Sequence, residues 1–247
     1  MKVSIITVCY NAASTIVDAI HSVRQQDYEP IEYIVVDGNS TDGTVDVIQQ
    51  HHSDIDRWVS EPDKGIYDAM NKGVAMATGD VVGILNSDDF YSSQSIISQV
   101  ARQFENPDVD AVFGDLVIVD PKELNKVVRK YSARQWNPQK LAWGFMPPHP
   151  TFFVRKKFYE DLGLYKTDYR ISSDYELMIR FLLVHKLRYK YIPLQMVTMR
   201  KGGVSSRNIK SNIILNEEIV RACNENGVRT NRFMIYSKYF KKIGELF

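Results

Sequence analysis

The sequence has few cysteines and no long apolar run. Its 247 residues include two cysteines, Cys9 and Cys223, and they do not form a CxxC pair. This usage argues against a disulfide framework and a structural zinc site, and it is consistent with a reducing cytosol. No apolar run approaches the roughly 18 residues of a membrane-spanning helix. Gly/Ser-rich linkers, internal repeats and low-complexity segments are also missing from the sequence.

An excess of charge is missing as well. The 31 basic and 30 acidic residues give a formal net charge of +1, which does not indicate a nucleic-acid-binding protein. The chain is 44% hydrophobic and 25% charged, as is typical of a globular protein with one large α/β domain, with or without an appendage. The opening apolar run is short, β-branched and ends at Asn11, so it predicts a buried strand and not a signal peptide.

The first 120 residues alternate between strand-like and helix-like segments, which predicts a parallel sheet with helices on its faces. The predicted strands are Val3–Tyr10, Ile31–Asp37, Arg57–Ser60, Val81–Leu85 and Ala111–Val119. The predicted helices are Ser14–Gln26, Thr44–His51, Ile66–Thr78 and Ser92–Phe104. Beyond residue 120 we expect strands at Lys126–Tyr131 and Thr151–Val154, a loop at Trp136–Pro150, and helices at Ser173–Lys186, Asn208–Asn224 and Arg232–Leu246.

Three polar clusters directly follow predicted strands. They are Tyr10-Asn11, residues 37–43 (DGNSTDG) and residues 86–89 (NSDD). Because ligands of an open parallel sheet bind beyond the carboxyl ends of its strands, the clusters predict one shared binding crevice. Plainer interpretations stay open, since the second cluster has the composition of a helix-capping turn and the third could be a solvated turn.

The third cluster places two carboxylates, Asp88 and Asp89, just after a fully apolar strand. Adjacent like charges are unfavourable unless a cation or a set of donors compensates them. A hard divalent cation, Mg²⁺ or Mn²⁺, held by one or two carboxylates and by phosphate oxygens meets this need. The cluster therefore predicts a metal that carries a nucleotide diphosphate.

Six stretches of the sequence, in this order and spacing, resemble family 2 glycosyltransferases with the GT-A fold. They are VSIITVCYNA (3–12), VVDGNSTDGT (35–44), EPDKGIYDAMNKGVAMATGD (61–80), GILNSDDF (83–90), HPTFFVRK (149–156) and SSDYEL (172–177). This resemblance, to enzymes of the bacterial surface-polysaccharide type, implies a Rossmann-like α/β fold with a mostly parallel central sheet flanked by helices. We assign residues 1–205 to the GT-A domain and residues 206–247 to a C-terminal helical extension.

The resemblance also implies roles for single residues. The residues implied to contact the nucleotide are Val8, Tyr10, Asn11, Asp37, Lys64, Asn86 and Ser87. Among them, Asp37 is expected to hydrogen-bond the uracil edge, and Lys64 to lie near the donor diphosphate. The family's Asp-x-Asp motif corresponds to Asn86-Ser87-Asp88, with Asn in place of the first acid. We expect Asp88 to be the principal metal ligand and Asp89 to assist.

Asp174 matches the family's catalytic base, which takes the proton of the attacking acceptor hydroxyl. Ser173 and Glu176 have capping-box spacing, so a helix is expected to begin beside Asp174. Met178 and Phe181 follow on the same stripe, which places Asp174 on the inward side, and we expect the helix dipole to keep it ionised. The plainer interpretation is that Asp174 only stabilises the helix end, by about 0.3–1 kcal/mol. Without the resemblance, the two interpretations are equally supported.

Five further residues are candidate contacts for the sugar or the acceptor, and each has a structural alternative. They are His149, Asp68, Trp143, Arg200 and Lys201. A lone histidine is more often structural, Asp68 can cap a helix, and core packing is expected for at least one of Trp136 and Trp143. Arg200-Lys201 is either an exposed basic turn or added positive charge beside the phosphates.

The C-terminal segment repeats apolar residues on one helical stripe, with basic residues between them. The apolar residues are Phe233, Tyr236, Phe240, Ile243 and Phe247, and the basic residues are Arg232, Lys238, Lys241 and Lys242. Such a helix can lie on an anionic membrane surface. Packing on its own domain, or on a second subunit as a homodimer, is the alternative and is slightly favoured.

Together these features predict a metal-dependent, inverting glycosyltransferase of the cytoplasm or of the inner face of the membrane. We expect a UDP-sugar donor and a saccharide or lipid-linked acceptor in surface glycan biosynthesis, and no nucleic-acid partner. A nucleotidyltransferase or a dinucleotide oxidoreductase would carry a Gly-rich loop after the first strand, where this chain reads CYNAAST. A non-catalytic nucleotide-sugar or glycan-binding protein on the same fold is the remaining alternative.

Overall fold

The computed structural model describes residues 1–202 and 209–237. The strands in these ranges are β1 (Val3–Cys9), β2 (Ile31–Asp37), β3 (Arg57–Ser60), β4 (Val81–Ile84), β5 (Asp89–Tyr91), β6 (Ala111–Val119), β7 (Val127–Tyr131), β8 (Phe153–Arg155) and β9 (Tyr189–Arg200). The helices are α1 (Ile16–Arg24), α2 (Thr44–Gln50), α3 (Ile66–Met76), α4 (Ile96–Phe104), α5 (Lys157–Leu162), α6 (Ser173–Met178) and α7 (Ile209–Glu225). The strands form one sheet in the order β3-β2-β1-β4-β8-β6-β9-β5, and β7 pairs with β6.

The N-terminal half of the sheet is parallel, as predicted. β1 pairs in parallel with β2 and β4, and β2 pairs in parallel with β3. All seven residues of β1 are buried, because strands lie on both of its sides and helices cover both faces of the sheet. The α/β sheet flanked by helices confirms the predicted architecture.

The C-terminal half of the sheet is mixed, which the sequence pattern does not reveal. β8 is antiparallel to β4 and β6, whereas β9 is parallel to β6 and antiparallel to β5. The pattern predicts neither β5 nor β9. β5 has three residues and begins with a carboxylate, and none of the first seven residues of β9 is buried, so neither shows a clear apolar alternation.

Two predicted helices begin or continue differently in the structure. The helix predicted over residues 92–104 begins at Ile96, because β5 and the following turn occupy the preceding residues. The helix predicted from Ser173 runs as α6 to Met178 and then continues as a π-helical turn over Ile179–Val184. The structure also adds α5, and it turns parts of the predicted loop at 136–150 into short 3₁₀ helices.

The predicted capping box at the start of α6 is wrong. Ser172 is the N-cap residue, so Ser173 lies inside the helix. The Glu176 carboxylate is fully buried and pairs with Arg180 at 2.9 Å and with Lys166 at 3.1 Å. Glu176 therefore joins α6 to its neighbours instead of capping it.

The sheet separates two apolar layers. Along β1, Ile6 and Val8 face one layer and Ile5 and Cys9 face the other, since successive side chains of a strand point to opposite faces. The first layer contains residues of α3, α6 and α7, and the second contains residues of α1, α2 and α4. The helices thus hold the strand ends in fixed positions.

The described part of the C-terminal segment packs on this domain. Ile219 and Ile235 are buried in the first layer, whereas Phe233 of the predicted apolar stripe is 76% exposed. Outside the described residues lie Phe240, Ile243, Phe247, Lys238, Lys241 and Lys242, and also the predicted boundary between residues 205 and 206. Within residues 1–202 and 209–237, every helix is too short or too polar to cross a membrane.

Candidate functional site

The carboxyl ends of β1, β2 and β4 meet at one edge of the sheet. In the parallel register Cys9 lies opposite Asp37, and Ile6 lies opposite Ile84. The three predicted polar clusters therefore lie side by side. We call residues 10–13, 37–44 and 86–89 the strand-end cluster.

The first two loops of the strand-end cluster are bonded to each other. The Asn11 backbone N–H donates to Ser40 Oγ at 2.8 Å, and the Thr41 N–H donates to Asn11 Oδ1 at 2.9 Å. The Ala13 N–H donates to Asp42 Oδ2 at 3.1 Å. Asn11 has a φ of 51°, a left-handed conformation that asparagine tolerates. These bonds make the two loops one unit.

Asp37 lies at the centre of this unit and is fully buried. One carboxylate oxygen accepts from Ser60 Oγ at 2.7 Å and from the Ser40 N–H at 2.9 Å, and the other accepts from Ser40 Oγ. The carboxylate thus organises the loop around it. A contact between Asp37 and a uracil edge stays a prediction, and it would require Ser40 to turn away.

A carboxylate that the sequence reasoning missed lies beside Asp37. Asp63, in the loop between β3 and α3, places Oδ2 against the backbone of Gly38, where a side-chain carbon would collide with it. The same side-chain position at Gly38 lies 3.4 Å from the ring of Tyr10, which is 65% exposed. The signal that could have indicated this contact is the glycine at position 38, directly after an Asp that ends a buried strand.

The turn at residues 86–89 contains the two adjacent carboxylates. Asn86 Nδ2 donates to Asp89 Oδ2 at 3.2 Å, and Asp89 is 1% exposed while Asp88 is partly buried. Burial raises the pKa of Asp88, and burial together with the Asp88 charge raises the pKa of Asp89 well above its ordinary value. The charged form of each carboxylate is therefore disfavoured in the absence of a cation, and a metal at this turn stays a prediction.

Arg200 supports this turn from β9. Its Nη1 donates to the Asp88 carbonyl oxygen at 2.7 Å, its Nη2 pairs with Asp18, and its guanidinium lies 5.2 Å from the Phe90 ring centre. Arg200 is 8% exposed, so the interpretation as an exposed basic turn is wrong for this residue. Lys201, the next residue, is exposed.

The residues of the turn are compatible with a bound cation. The side-chain oxygens Asn86 Oδ1 and Asp89 Oδ1 are buried and accept no hydrogen bond from any residue in the described ranges. Buried unpaired oxygens are uncommon and are often completed by an ion or a water. The described part of the chain contains no cluster of three or more His, Cys, Asp or Glu side chains that could hold a metal ion by themselves. A cation here would therefore take most of its ligands from a bound molecule.

Asp174, the second residue of α6, lies against α3. Its Oδ1 accepts from the Tyr175 N–H at 2.9 Å and lies 3.3 Å from the Tyr67 hydroxyl, which also donates to the Ile171 carbonyl oxygen. Burial raises the pKa of Asp174, and the hydrogen bonds that its carboxylate accepts from the Tyr175 N–H and the Tyr67 hydroxyl oppose this effect. This rise of the pKa acts against the ionised form, which the dipole of α6 is expected to favour, so ionisation of Asp174 stays a prediction.

His149 belongs to the same pocket. It is buried, its Nε2 lies 2.9 Å from the Tyr165 hydroxyl, and that hydroxyl lies 3.2 Å from Tyr159 Oη. Tyr165 stacks on Tyr67 with ring centres 5.9 Å apart. Burial lowers the pKa of His149, which favours the neutral imidazole. We call Tyr67, His149, Tyr165 and Asp174 the Asp174 pocket.

The Glu218 carboxylate of α7 binds the backbone segment that leads into α6. The backbone N–H groups of Arg170, Ile171 and Ser172 donate to the Glu218 carboxylate at 2.6, 2.9 and 2.9 Å. Sequence reasoning missed Glu218, because the helical pattern shows an ordinary exposed acid next to Glu217. The bond partner lies 46–48 residues away and becomes visible only in the tertiary structure.

The other predicted site residues differ in burial and in their contacts. Asp68 accepts from the Lys64 N–H at 3.1 Å and lies 3.8 Å from Lys72, so it joins the loop before α3 to the first turn of that helix. Val8 is buried in the first apolar layer, Ser87 is partly buried in the turn, and the Lys64 side chain is exposed. Trp143 is 44% exposed.

Trp136 has the core-packing role expected for one of the two tryptophans. It packs on Phe113 and Tyr189 and donates from Nε1 to the Phe145 carbonyl oxygen at 3.0 Å. Trp143, by contrast, keeps an exposed ring that a sugar could contact.

The chain resembles known glycosyltransferases in sequence. The model of the family described as Glycosyl transferase family 2 matches residues 4–163. An uncharacterized glycosyltransferase of Mycobacterium tuberculosis is 32% identical over 187 residues, which cover 74% of this chain and 69% of the relative.

Two solved structures are similar in fold. TarS of S. aureus matches with a TM-score of 0.68 and 16% identity over 90% of this chain. The mannosyltransferase PcManGT of Pyrobaculum calidifontis, in complex with GDP-Man and Mn²⁺, matches with a TM-score of 0.63 and 22% identity over 89% of this chain. This chain spans 39% of the TarS chain and 64% of the PcManGT chain.

Proposed function

The chain belongs to glycosyl transferase family 2 and is a glycosyltransferase, and from this premise we propose that it is metal-dependent and inverting. The proposed donor is a UDP-sugar, and the proposed acceptor is a saccharide or a lipid-linked saccharide in surface glycan biosynthesis. The proposed location is the cytoplasm or the inner face of the membrane. Residues 1–205 would form the GT-A domain and residues 206–247 its helical extension.

One observation carries this proposal: a single helix, α3, joins the strand-end cluster to the Asp174 pocket. The loop before α3 packs Asp63 on Gly38, and Tyr67 in the first turn of α3 contacts Asp174. Donor groups bound at the strand ends would therefore lie close to the partly buried carboxylate of Asp174. A transferase needs this proximity, because the acceptor hydroxyl must reach the anomeric carbon beside the leaving diphosphate.

A divalent cation, Mg²⁺ or Mn²⁺, fits the turn at residues 86–89. We propose Asp88 as its principal ligand, with Asp89 assisting and Asn86 directed toward the ribose. Such a cation, when bound, neutralises the charge that develops on the leaving diphosphate. Arg200 holds the backbone of this turn through the Asp88 carbonyl, and Lys64 is exposed and free to approach the phosphates.

Asp174 is the proposed general base. Its pKa is raised by burial, which makes it a stronger proton acceptor than a solvated aspartate while it is ionised. Neutral His149 and the Tyr67 hydroxyl lie at its side and limit where an acceptor hydroxyl can enter. One base and direct attack would invert the configuration at the anomeric carbon.

The choice of donor rests on similar folds. TarS has been solved with UDP and with UDP-GlcNAc, whereas PcManGT has been solved with GDP-Man and Mn²⁺. These neighbours support a nucleotide-sugar donor, and the resemblance of the strand-end loops to the family favours UDP. For the acceptor, exposed Trp143 is the proposed sugar-stacking surface.

The test is UDP or GDP release from a panel of nucleotide sugars, measured with Mn²⁺, Mg²⁺ or EDTA. We expect release from at least one UDP-sugar only when the cation is present. The anomeric configuration of the product, read by NMR, checks inversion. Absence of cation-dependent release from every donor, together with absence of UDP binding, would contradict the proposal.

A further inference from the structure

Two carboxylates, Asp37 and Asp63, lie near Gly38 at the edge of the strand-end cluster, and they differ in how fully their oxygens are hydrogen-bonded. Asp37 is fully buried, and both of its oxygens accept from Ser40 or Ser60. Asp63 is only partly buried, and its Oδ1 accepts from the Gly65 N–H at 2.8 Å. Its Oδ2 accepts no hydrogen bond from the residues in the described ranges. This oxygen is therefore available to a ligand.

The surroundings of Asp63 Oδ2 suit a planar base. The oxygen lies over Gly38, which has no side chain to cover it, and the Tyr10 ring lies 3.4 Å from the position that a side-chain carbon at Gly38 would occupy. Tyr10 is 65% exposed, so one face of its ring is open to a stacking partner. A base could stack on the exposed ring of Tyr10, and a donor on the edge of that base could then hydrogen-bond to Asp63 Oδ2.

We infer that Asp63 Oδ2 accepts the N3–H of uracil and thereby selects the base of the donor. This inference rests on the proposed function, and it assigns to Asp63 the base contact that the family resemblance assigns to Asp37. A carboxylate oxygen can only accept, so it rejects cytosine, whose N3 is also an acceptor. Guanine presents two adjacent donors, N1–H and N2–H₂, whereas the Gly65 N–H leaves Asp63 a single oxygen.

The bond from Gly65 also fixes how an amide would sit at position 63. In Asp63→Asn, the side-chain oxygen must stay toward the Gly65 N–H, so the NH₂ group takes the place of Oδ2. That group donates to cytosine N3 and meets uracil N3–H with a clash of donors. The substitution therefore predicts a change in base preference and not only a loss of affinity.

The first experiment is calorimetry of the full-length chain with UDP, CDP, GDP and N3-methyl-UDP in the presence of Mn²⁺. The wild type is expected to bind UDP at least about tenfold more tightly than CDP or N3-methyl-UDP, since one charge-assisted hydrogen bond is lost. If the wild type binds no nucleoside diphosphate, the proposed function fails. If it binds UDP and N3-methyl-UDP equally, only the inference about Asp63 fails.

The second experiment repeats the panel with Asp63→Asn. We expect the ratio of UDP to CDP affinity to fall by about tenfold or more. Glu61→Gln is the matched control, because Glu61 lies in the same loop, is half exposed and pairs with Lys72. Its ratio should equal that of the wild type. An unchanged ratio in Asp63→Asn would overturn the inference.

The third experiment moves the carboxylate from position 63 to position 38. In Gly38→Asp combined with Asp63→Ala, the new side chain enters the space that Asp63 vacates, so UDP preference should return in part. Gly38→Asp alone should weaken UDP binding, because the side chain collides with Asp63 Oδ2. Melting temperatures of both variants separate misfolding from altered recognition. If the folded double variant shows no preference for UDP over CDP, the inference is contradicted.

Discussion

On the strand-end side of the site, bonds run between loops that the sequence places about 30 residues apart, as between Asn11 and Ser40. On the Asp174 side, the partners are more distant: Tyr67 lies 107 residues away and Glu218 more than 40. The first region is built from the ends of neighbouring parallel strands. The second is assembled from α3, α6 and α7, which are far apart in the sequence. The comparison indicates that the two halves of one reaction can be perturbed separately.

Asp174→Asn is expected to give the largest difference between its effect on sugar transfer and its effect on UDP binding. The amide cannot take a proton from the acceptor, so transfer should fall by roughly 10²–10⁴-fold. Calorimetry with UDP and Mn²⁺ should give a dissociation constant within about twofold of the wild type, since the strand-end cluster is untouched. Equal loss of UDP binding and of transfer would break the comparison, because the two sides would then act as one unit.

Asp88→Ala is expected to act on donor binding, the step that Asp174→Asn leaves unchanged. Loss of the proposed principal ligand should weaken the Mn²⁺-supported binding of UDP by at least about tenfold. UDP binding in EDTA should change much less, which distinguishes lost metal from a damaged nucleotide pocket. If Asp88→Ala binds UDP with Mn²⁺ as the wild type does, the assignment of Asp88 as a metal ligand is incorrect.

Glu218→Gln tests the Asp174 side of the site through a residue that is not itself part of the Asp174 pocket. A glutamine cannot accept from three backbone N–H groups as the carboxylate does, so the chain that leads into Asp174 should shift. Transfer should fall by about 10- to 100-fold, while UDP binding stays unchanged. Glu217→Gln is the control, since Glu217 is 44% exposed and pairs with Arg232. A loss of UDP binding in Glu218→Gln would show a general structural role instead.

Tyr67→Phe should give the smallest effect. Removing the hydroxyl removes a hydrogen bond that lowers the pKa of Asp174, so that pKa rises further. A base works only when ionised, and the acid limb of kcat/KM should therefore move to higher pH. Near the pH optimum the rate should stay within a few-fold, and the pH profile provides the measurement. A shift to lower pH would contradict the assigned contact.

Several parts of this molecule can be predicted from sequence because they depend on neighbours along the chain. The bounds of β2, β3 and β6 agree with the predicted strands, and β2 and β6 are rich in the apolar and β-branched residues that favour strands. The polar groups after β1, β2 and β4 are brought together by the parallel topology alone. The metal, nucleotide and base-catalysis roles of these residues stay predictions.

Other parts depend on contacts that no local pattern records. Ser173 and Glu176 have the spacing of a capping box, yet Glu176 is buried and pairs with Arg180 and Lys166, and Lys166 lies outside the helix. Arg200 reads as part of a basic turn, yet β9 inserts it under the turn that holds Asp88.

The sequence by itself determined the α/β order and the polar residues that end the first strands, because hydrophobic periodicity and turn chemistry act over a few residues. Only the tertiary structure decided which carboxylates are already bonded and which are open. In the structure Asp37 accepts from Ser40, Asp63 Oδ2 lies against Gly38, and Glu218 accepts from the backbone just before α6. The physical reason is that hydrogen-bond satisfaction and burial are set by the summed contacts of several elements, which spacing along one chain does not encode.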